Sequence, residues 1–311
     1  MNLRRLLRGL RRPEYFFRPG QLWRRMRRHV AVTEEDVPLA WGLPIRIDPS
    51  SLMGIDIVNL GLYDRIVPET ICRLLDEGEW ALDVGANIGQ NASIMALVAG
   101  PRGHVIAFEP HPAVWQTLQR NVASWRPYDM APIDTIQKGL SSSVGNASLF
   151  EGEEFLSGNQ GSASLEAPAT VVRAHEIELT TLDVFLPPDT RIGLAKLDVE
   201  RHEHAVLLGA ELLLKARRLR DLIFEDHHRQ PSRVTQLLEA AGYSVFTLHA
   251  RWHKPCATPY RDVLQHVSKG IGSVNYLATL DVDRVRARFR PAGWQCLNVR
   301  ATKTALSGRH G

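Results

Sequence analysis

Residues 80–91, WALDVGANIGQN, combine an acid, two glycines and a helix start in the pattern of a nucleotide-like cofactor site. An apolar run that ends near Asp83 leads through Gly85 and Gly89 into the helical pattern QNASIMALVA. Glycine allows backbone dihedrals that are closed to other residues and lets a ligand approach closely. The N-terminus of the following helix offers free N–H groups and a partial positive charge, which suit an anionic group. The pattern therefore predicts a bound cofactor but does not distinguish among possible cofactors.

The spacing of the glycines disfavours a dinucleotide. The pattern G-x-G-x-x-G needs glycine at three positions that are here Gly85, Asn87 and Gln90. A carboxylate at Asp83 would oppose a pyrophosphate but favour a ligand that carries an ammonium group. Glu109 ends the next apolar run, twenty residues beyond the second glycine, where such folds bind a ribose diol. An amine, a carboxylate and a ribose without phosphates together describe S-adenosylmethionine.

The segments around this turn predict an α/β sheet that would bring the acids together. Strand-like apolar runs are WALDV, HVIAFE, DTIQKGL, GLAKLDV, RDLIFE and YSVFTL, and SVNYLATL follows late in the chain. Helical patterns of ten to fifteen residues separate them, which favours right-handed crossovers and a Rossmann-like, mostly parallel sheet with helices on both faces. Ligands bind such sheets beyond the carboxyl ends of the strands, where the strand order reverses.

Other segments predict more local features. Residues 38–66 indicate a small strand-rich lead-in that includes IDIVNL, and SSSVGNASLF predicts a hairpin. HEHAVLLGAELLLKA predicts one helix and WQCLNVRA an extended segment. We accordingly divide the chain into a basic N-terminal helical extension (1–37), the lead-in (38–66), a main domain (67–280) and a C-terminal extension (281–311).

The positive charge of the chain is confined to its N-terminus. Residues 1–30 hold ten arginines and one acid, whereas the remainder has 28 basic and 33 acidic residues. Leucines recur in this segment at helical spacing opposite arginines: Leu3, Leu6, Leu7 and Leu10. Such a helix packs on the body of the protein, or contacts an anionic membrane surface or an acidic partner. Elsewhere no basic cluster with interleaved aromatic residues occurs, so we expect no nucleic-acid partner.

Targeting signals and cysteines favour a cytoplasmic location. No run of eighteen apolar residues occurs, which argues against a transmembrane helix. The N-terminus lacks the apolar region and cleavage site of a secretory signal. Cys72, Cys256 and Cys296 are scattered and form no metal-ligand spacing, as expected in a reducing compartment. Peripheral membrane contact through the basic N-terminus remains open.

Two polar segments, LDVERHEH and FEDHH, follow predicted strands and should reach the same sheet edge as the glycine turn. Asp198, His202 and Glu203 are candidate bases for a reaction in which a hydroxyl loses its proton. Glu225 and His227 would reach the same pocket from the next strand. Acids at a helix start also offset the helix dipole without any further function, so that interpretation stays open.

The histidines of these segments do not predict a metal centre. HEH lacks the spacing of H-E-x-x-H, and richness in histidine alone is weak evidence for a metal. No G-x-S-x-G elbow supports a serine hydrolase. We therefore predict no metal ligand.

Taken together, several segments resemble the FkbM family of class I S-adenosylmethionine-dependent methyltransferases. The resemblance lies in LDVGANIGQNASIMAL, VIAFEPHPAVWQTLQRNV and LAKLDVERHEHAVLLGAELLLK with LIFE, supported by GLYDRIVPETICRLL, TTLDVF and NYLAT. It spans residues 60–280 in the family's order and implies that 67–280 is a methyltransferase catalytic domain. It also implies methyl transfer to a hydroxyl of a small molecule or glycan, such as a sugar or a specialised metabolite.

The resemblance implies roles for individual residues. The methionine part of the cofactor would be held by Asp83, Gly85, Ala86, Asn87 and Gly89. Adenosine would be bound by Glu109 at the ribose, by Pro110 beside it, and by Leu140 and Ser141 near the adenine. Asp198 and Glu200 would border both cofactor and acceptor. The acceptor side would also include Arg201, Glu225 and His227.

One position departs from the family pattern. The family usually has D-V-E-G-x-E after the fourth strand, whereas this chain has DVERHE, with Arg201 in place of the glycine. A backbone in the helical region would tolerate a side chain there. A long cation would then lie beside the acceptor pocket.

Two other functions are alternatives. A methyltransferase-like fold without catalysis would act as a binding protein that docks through its basic N-terminus, although a degenerate copy should first have lost Asp83 or Glu109. A nicotinamide-dependent oxidoreductase is disfavoured because Asn87 and Gln90 replace required glycines.

Overall fold

A mostly parallel sheet with helices on both faces forms the centre of the structure. The computed structural model describes residues 35–156, 158, 161–228, 230–264 and 275–303. The strands are β1 (Glu35–Pro38), β2 (Pro44–Ile47), β3 (Trp80–Val84), β4 (His104–Phe108), β5 (Ile133–Ile136), β6 (Gly139–Leu140), β7 (Gly145–Glu151), β8 (Arg173–Thr180), β9 (Ile192–Leu197), β10 (Leu219–Glu225), β11 (Ser244–Arg251), β12 (Lys254–Pro259) and β13 (Asn275–Thr279). The helices are α1 (Leu52–Leu60), α2 (Ile66–Leu74), α3 (Gln90–Ala99), α4 (Pro112–Trp125), α5 (Glu153–Leu156), α6 (Leu182–Phe185), α7 (Glu203–Leu208), α8 (Glu211–Lys215), α9 (Arg233–Ala240), α10 (Tyr260–Leu264) and α11 (Val282–Phe289), followed by a 3₁₀ helix (Gln295–Leu297).

Within the described residues, eight strands form the central sheet in the order β12–β11–β13–β10–β9–β3–β4–β5. β5, β4, β3, β9 and β10 are parallel, and β13 is antiparallel to both β10 and β11. From β3 the chain runs outward to β5 and then returns to β9 on the other side of β3. The strand order therefore reverses between β3 and β9, which is where such sheets bind ligands. The predicted Rossmann-like α/β fold is confirmed.

Alternate residues of the central strands face two separate hydrophobic cores. Ala81 and Leu194 belong to a core that includes residues of α3 and α4, whereas Leu82 and Ala195 belong to a core that includes residues of α7, α8 and α9. Successive side chains of a strand point to opposite faces, so strands covered on both sides must be apolar almost throughout. A charged residue inside such a strand, Lys196 of β9, therefore needs a compensating partner.

A second sheet, of three strands in the described part of the chain, has the order β6–β8–β7. The predicted hairpin in SSSVGNASLF is wrong, because β7 pairs antiparallel with β8 rather than with the preceding segment. The predicted strand DTIQKGL is divided between β5 of the central sheet and β6 of the small one. Gly139 permits this divergence, since a Cβ there would lie 2.7 Å from the side chain of Leu179 in β8.

Three further local predictions are wrong. IDIVNL belongs to helix α1, because the Ser51 hydroxyl accepts the Gly54 N–H and Gly61 ends the helix in the left-handed conformation. HEHAVLLGAELLLKA forms two helices, α7 and α8. The Asp183 carboxylate accepts the N–H groups of Leu212 and Leu213 and so caps the start of α8 as a separate helix. WQCLNVRA contains the 3₁₀ helix, in which Cys296 is buried, and not an extended strand.

The lead-in and the C-terminal segment pack on the same core as α3 and α4. The Trp41 indole donates to the Ser93 hydroxyl at 3.0 Å, and its carbonyl accepts the Ala301 N–H at 2.8 Å. The Trp125 indole of α4 donates to the Pro44 carbonyl of β2. These contacts join both ends of the described chain to the helices behind the glycine turn, and the domain boundaries at 37, 66 and 280 stay predictions.

The basic amphipathic helix predicted near the N-terminus lies outside the described residues. Its contact with a membrane surface or an acidic partner therefore stays a prediction. In the part of the chain that the structure describes, no helix combines the length and the apolar character needed to cross a membrane.

A buried ion pair joins α2 to the C-terminal segment. The Arg73 Nε donates to Glu69 Oε1 at 2.7 Å, and both side chains are fully buried. Arg73 also donates to the carbonyls of Arg288 and Gly293, while Glu69 Oε2 accepts the Cys296 N–H. Hydrogen bonds to three other positions thus satisfy the pair, which is the condition under which a buried ion pair is tolerated.

Truncation of Arg73 should destabilise the fold strongly. Arg73→Ala leaves Glu69 buried without its partner, and breaking a buried pair in this way costs about 3–5 kcal/mol. Urea unfolding measures the loss. Arg102→Ala is the control, because the Arg102–Glu77 pair has side chains that are 77% and 64% exposed, and its loss should cost less than about 1 kcal/mol. Equal losses in the two variants would contradict the role of the buried pair.

Candidate active site

A cavity of about 670 Å³ lies at the carboxyl ends of β3, β4, β9 and β10. Most of the residues predicted for the site line it: Gly85, Ala86, Asn87, Glu109, Pro110, Leu140, Asp198, Glu200, Arg201, His202, Glu225 and His227. Four do not: Asp83, Gly89, Ser141 and Glu203. The sheet therefore brings the two polar segments and the glycine turn to one place.

The two glycines of the turn are required by packing of the chain on itself. Gly85 has a φ of 75°, and a Cβ there would lie 1.8 Å from the Asp198 carbonyl oxygen. Gly89 has a φ of 95°, and its Cβ would meet Leu118 at 2.6 Å and Trp125 at 3.1 Å in α4. Gly85 lets the end of β9 approach the turn, and Gly89 lets α4 approach it. Gly85 also lines the cavity, and the expectation that it makes room for a ligand stays a prediction.

Glu109 is held at the end of β4 by the backbone. Its carboxylate accepts the N–H groups of Asn87 and His111, each at 2.9 Å. The side chain is buried, and this burial raises the pKa of Glu109 to about 7 even though both hydrogen bonds favour the ionised form. A carboxylate has about four acceptor sites, so lone pairs remain for the two hydroxyls of a ribose. The residues at this end of the cavity fit an adenosine-type cofactor.

Lys196 is a functional candidate that the sequence reasoning missed. Its ammonium donates to the Gly85 carbonyl at 3.0 Å and lies 3.1 Å from Asp198 Oδ2 and 3.7 Å from Asp83 Oδ1. Although burial opposes its charge, these two acids hold the pKa of Lys196 above its usual value. The sequence could have identified Lys196, because it lies within the apolar run GLAKL and lysine is almost never buried unpaired.

Asp83 lies behind Lys196 and does not line the cavity. Its side chain is fully buried, and its Oδ1 lies 3.7 Å from the Lys196 ammonium. Burial raises the pKa of Asp83 to about 6, against the attraction of Lys196. The structure therefore does not place Asp83 where it could contact the ammonium group of a cofactor directly. The acid acts on the cavity through Lys196.

The part of the cavity that the sequence predicts to bind the acceptor is rich in carboxyl groups. Burial and the nearby charge of Asp198 raise the pKa of Glu200 to about 7 and that of Glu225 to about 8. Asp64, which the sequence did not single out, also lines the cavity and accepts from the Asn275 amide at 2.8 Å. Carboxyl groups that titrate near neutral pH can either accept or donate hydrogen bonds, as a polyhydroxylated acceptor requires.

Two of the three candidate bases line the cavity. His202 Nε2 lies 2.9 Å from the Ser141 hydroxyl, and burial lowers the pKa of His202 below its usual value. Asp198 is paired with Lys196. Glu203 is 5% exposed and accepts the Val199 N–H at 3.2 Å, so it closes the turn that begins α7.

The loop after β10 is held by one buried acid. Asp226 accepts hydrogen bonds from His228, Gln230 and Ser232. These bonds keep the pKa of Asp226 below its usual value in spite of burial. They also fix the start of the loop, where the His227 ring lies 3.5 Å from the neighbouring Glu225 carboxylate.

Left-handed backbone conformations concentrate around the cavity. The structure describes five non-glycine residues with positive φ, and four of them line the cavity: Asp64, Asn87, Glu200 and Arg201. The condition under which a side chain would be tolerated at Arg201, a helical backbone, is not met, since its φ is 72° and that of Glu200 is 49°. Each such residue costs about 1–3 kcal/mol, and strain of this kind clusters at ligand sites.

A cluster of potential metal ligands lies beside the Glu109 turn. Among the described residues, His111, Glu151 and His175 have ligand atoms within 4.8 Å of one another. His111 Nδ1 accepts the Val114 N–H, which leaves Nε2 as the proton-bearing nitrogen facing Glu151 at 2.9 Å. His175 contacts the same carboxylate oxygen. Hydrogen bonds explain the cluster, which ties β7 and β8 to the start of α4.

Comparison with known proteins identifies the family of this site. The model of the methyltransferase FkbM domain matches residues 83–245, from the acid behind Lys196 to the strand after α9. The chain belongs to this family. The hexuronic acid methyltransferase AglP of Haloferax volcanii is 33% identical over 184 residues, which cover 57% of this chain and 69% of that protein.

Comparison with solved structures gives weaker similarities. A SAM-dependent O-methyltransferase from Thermotoga maritima has 14% identity and a TM-score of 0.41, and the match covers 79% of this chain and 76% of that one. Fibrillarin from Aeropyrum pernix, solved with S-adenosylmethionine bound, has 16% identity and a TM-score of 0.35 over 66% of this chain and 67% of its own.

Membership of the FkbM family establishes the class of enzyme. The protein is a methyltransferase, and its cofactor is S-adenosylmethionine. The enzyme and cofactor predicted from the sequence are confirmed, and the two alternatives, a nicotinamide-dependent oxidoreductase and a non-catalytic binding protein, are set aside.

Substitution of Gly85 should cost more than left-handed strain alone. Gly85→Ala forces a side chain both into a positive φ and against the Asp198 carbonyl, whereas Gly78→Ala, with a φ of 83° and open space around it, adds the strain only. We expect a loss of about 1–2 kcal/mol for Gly78→Ala and about 1–3 kcal/mol more for Gly85→Ala. Denaturant unfolding measures both, and equal losses would contradict the contact between the turn and β9.

Proposed function

We propose that this enzyme transfers a methyl group from S-adenosylmethionine to a hydroxyl of a sugar or glycan. The observation that carries the proposal is the cavity itself, which has a ribose-type acceptor, Glu109, at one end and Asp64, Glu200 and Glu225 at the other. AglP, the similar protein of known activity, acts on a hexuronic acid. A small-molecule or glycan acceptor is consistent with both.

The cofactor end is defined by Asn87, Glu109 and Pro110, with Leu140 on the opposite wall. When bound there, S-adenosylmethionine supplies an electrophilic methyl group on a sulfonium that leaves as a neutral thioether. Glu109 accepts the ribose hydroxyls, and the acids around Lys196 favour a positively charged ligand in the cavity. These residues orient the cofactor, and orientation can account for roughly 7–11 kcal/mol of a barrier.

The acceptor hydroxyl must lose its proton as its oxygen forms the bond to carbon. Asp198 is held by Lys196 and is therefore better suited to orient the acceptor than to take up a proton. His202 lines the cavity and stays neutral at pH 7 because burial lowers its pKa. We assign the role of base to His202, with the Ser141 hydroxyl orienting its ring and Glu203 holding the preceding turn.

Cofactor binding should depend on Glu109. Glu109→Gln keeps the side-chain shape but points an NH₂ group at one of two backbone N–H groups. The ribose hydroxyls also lose a charged acceptor, a contact worth about 1.5–3 kcal/mol, so the affinity for S-adenosylmethionine should fall about 10–100-fold by calorimetry. Glu211→Gln, at an exposed site on α8, is the control. Wild-type protein that binds no S-adenosylmethionine, or transfers no labelled methyl to any of a panel of hydroxylated glycosides, would refute the proposed function.

Loss of the His202 base should lower turnover more than cofactor affinity. A positioned base contributes about 10²–10⁴-fold, so His202→Gln should lower kcat by about that factor. Wild-type turnover should fall as the pH decreases through the lowered pKa of His202, because protonation removes the base, and this limb should disappear in the variant. A pH–rate profile that keeps its acid limb in His202→Gln and loses it in Asp198→Asn would transfer the role to Asp198.

A further inference from the structure

Arg201 holds a backbone conformation that its side chain makes costly. Its φ of 72° lies in the left-handed region, where glycine fits without strain and an arginine does not. The preceding residue, Glu200, is left-handed as well. The fold gains nothing visible from this side chain, since Arg201 is exposed and makes no hydrogen bond or ion pair with the described residues.

The other lysine and arginine side chains of the cavity are already paired. Of those that line it in the described part of the chain, Lys196 is paired with Asp198, and Lys138 lies 2.8 Å from Glu178. Arg201 makes no ion pair within 4 Å of a described acid, and its charge acts on the neighbouring Glu200, which also lines the cavity. A left-handed arginine that lines a ligand cavity and holds no ion pair to a described residue is available to bind an anionic group of the ligand.

The position of the charge restricts where an anion can bind. The inner wall carries Asp64, Asp198 and Glu225, which repel an anionic group. Arg201 is exposed, whereas these three acids are only partly exposed, so its guanidinium is more accessible to a ligand that enters from solvent. An acceptor can therefore place a hydroxyl among the carboxyl groups and an anion on the guanidinium. Arginine binds carboxylate and phosphate groups through two parallel hydrogen bonds.

We propose that Arg201 binds an oxyanion of the methyl acceptor, so that the enzyme prefers acidic sugars to neutral ones. This inference rests on the proposed function, because it presumes a hydroxylated sugar in the cavity. The anion is a carboxylate, as in a uronic acid, or a phosphate ester. Both present oxygens that match the guanidinium.

The test compares acceptors that share a sugar ring and differ in the charge of the group at C6. Methyl glucuronide and methyl glucoside share a ring and differ at one carbon, and glucose 6-phosphate supplies the phosphate. Transfer of labelled methyl gives kcat/KM for each. Wild-type enzyme should prefer one of the two anionic sugars, and Arg201→Gly should lower the ratio of anionic to neutral kcat/KM about 10–100-fold, as expected for a charged hydrogen-bonded contact. Arg201→Lys should retain part of the preference.

The matched control is Arg217→Gly. Arg217 is also exposed and left-handed, with a φ of 52°, but it does not line the cavity. Both glycine variants should melt at or above the wild-type temperature, because each removes left-handed strain, whereas only Arg201→Gly should change the acceptor ratio. A lower melting temperature for Arg201→Gly would show a structural role and overturn the proposal.

The outcomes separate the two proposals. Wild-type enzyme that methylates the neutral glycoside as well as the anionic ones, or a ratio unchanged in Arg201→Gly, overturns the role of Arg201 and leaves sugar methylation standing. Binding of S-adenosylmethionine without transfer to any glycoside refutes the sugar acceptor and the role of Arg201 with it. Preference for glucuronide or for glucose 6-phosphate distinguishes carboxylate from phosphate.

Discussion

One buried ammonium group organises the site. Lys196 lies in β9, where both faces of the sheet are covered, and its charge is compensated by Asp83 and Asp198. Removing one member of such a group leaves an uncompensated buried charge, so the three side chains form one unit. Because Lys196 also donates to the Gly85 carbonyl, the unit fixes the turn after β3 against the end of β9. The cofactor turn and the acceptor side of the cavity are thereby held in one register.

The carboxyl groups of the cavity suit a positively charged reactant. Burial raises the pKa of Glu109, Glu200 and Glu225 to about 7, 7 and 8, so in the free enzyme they titrate near neutral pH. A sulfonium and its ammonium group favour the ionised forms of such carboxyls. Binding of a positively charged cofactor beside these carboxyl groups would therefore release protons.

The sequence predicted the central sheet because its signals are local. Apolar strands alternating with helical patterns specify a parallel sheet, and the polar residues after each strand then meet at one edge. The placement of Lys196 beside Asp83, or of Asn275 beside Asp64, depends on contacts between distant segments and was not predictable from spacing. The left-handed glycines of the turn were identified from their spacing, but their close contacts with Asp198 and α4 were not predictable from it. Apolar content alone also could not distinguish helix α1 from a strand, because the cap at Ser51 decides it.

His111 connects two walls of the cavity that are far apart in sequence. Its backbone N–H holds the Glu109 carboxylate, while its ring holds Glu151 of the small sheet. That sheet contributes Leu149 and Ile177 to the cavity lining. A single imidazole therefore sets the distance between the small sheet and the acid at the end of β4.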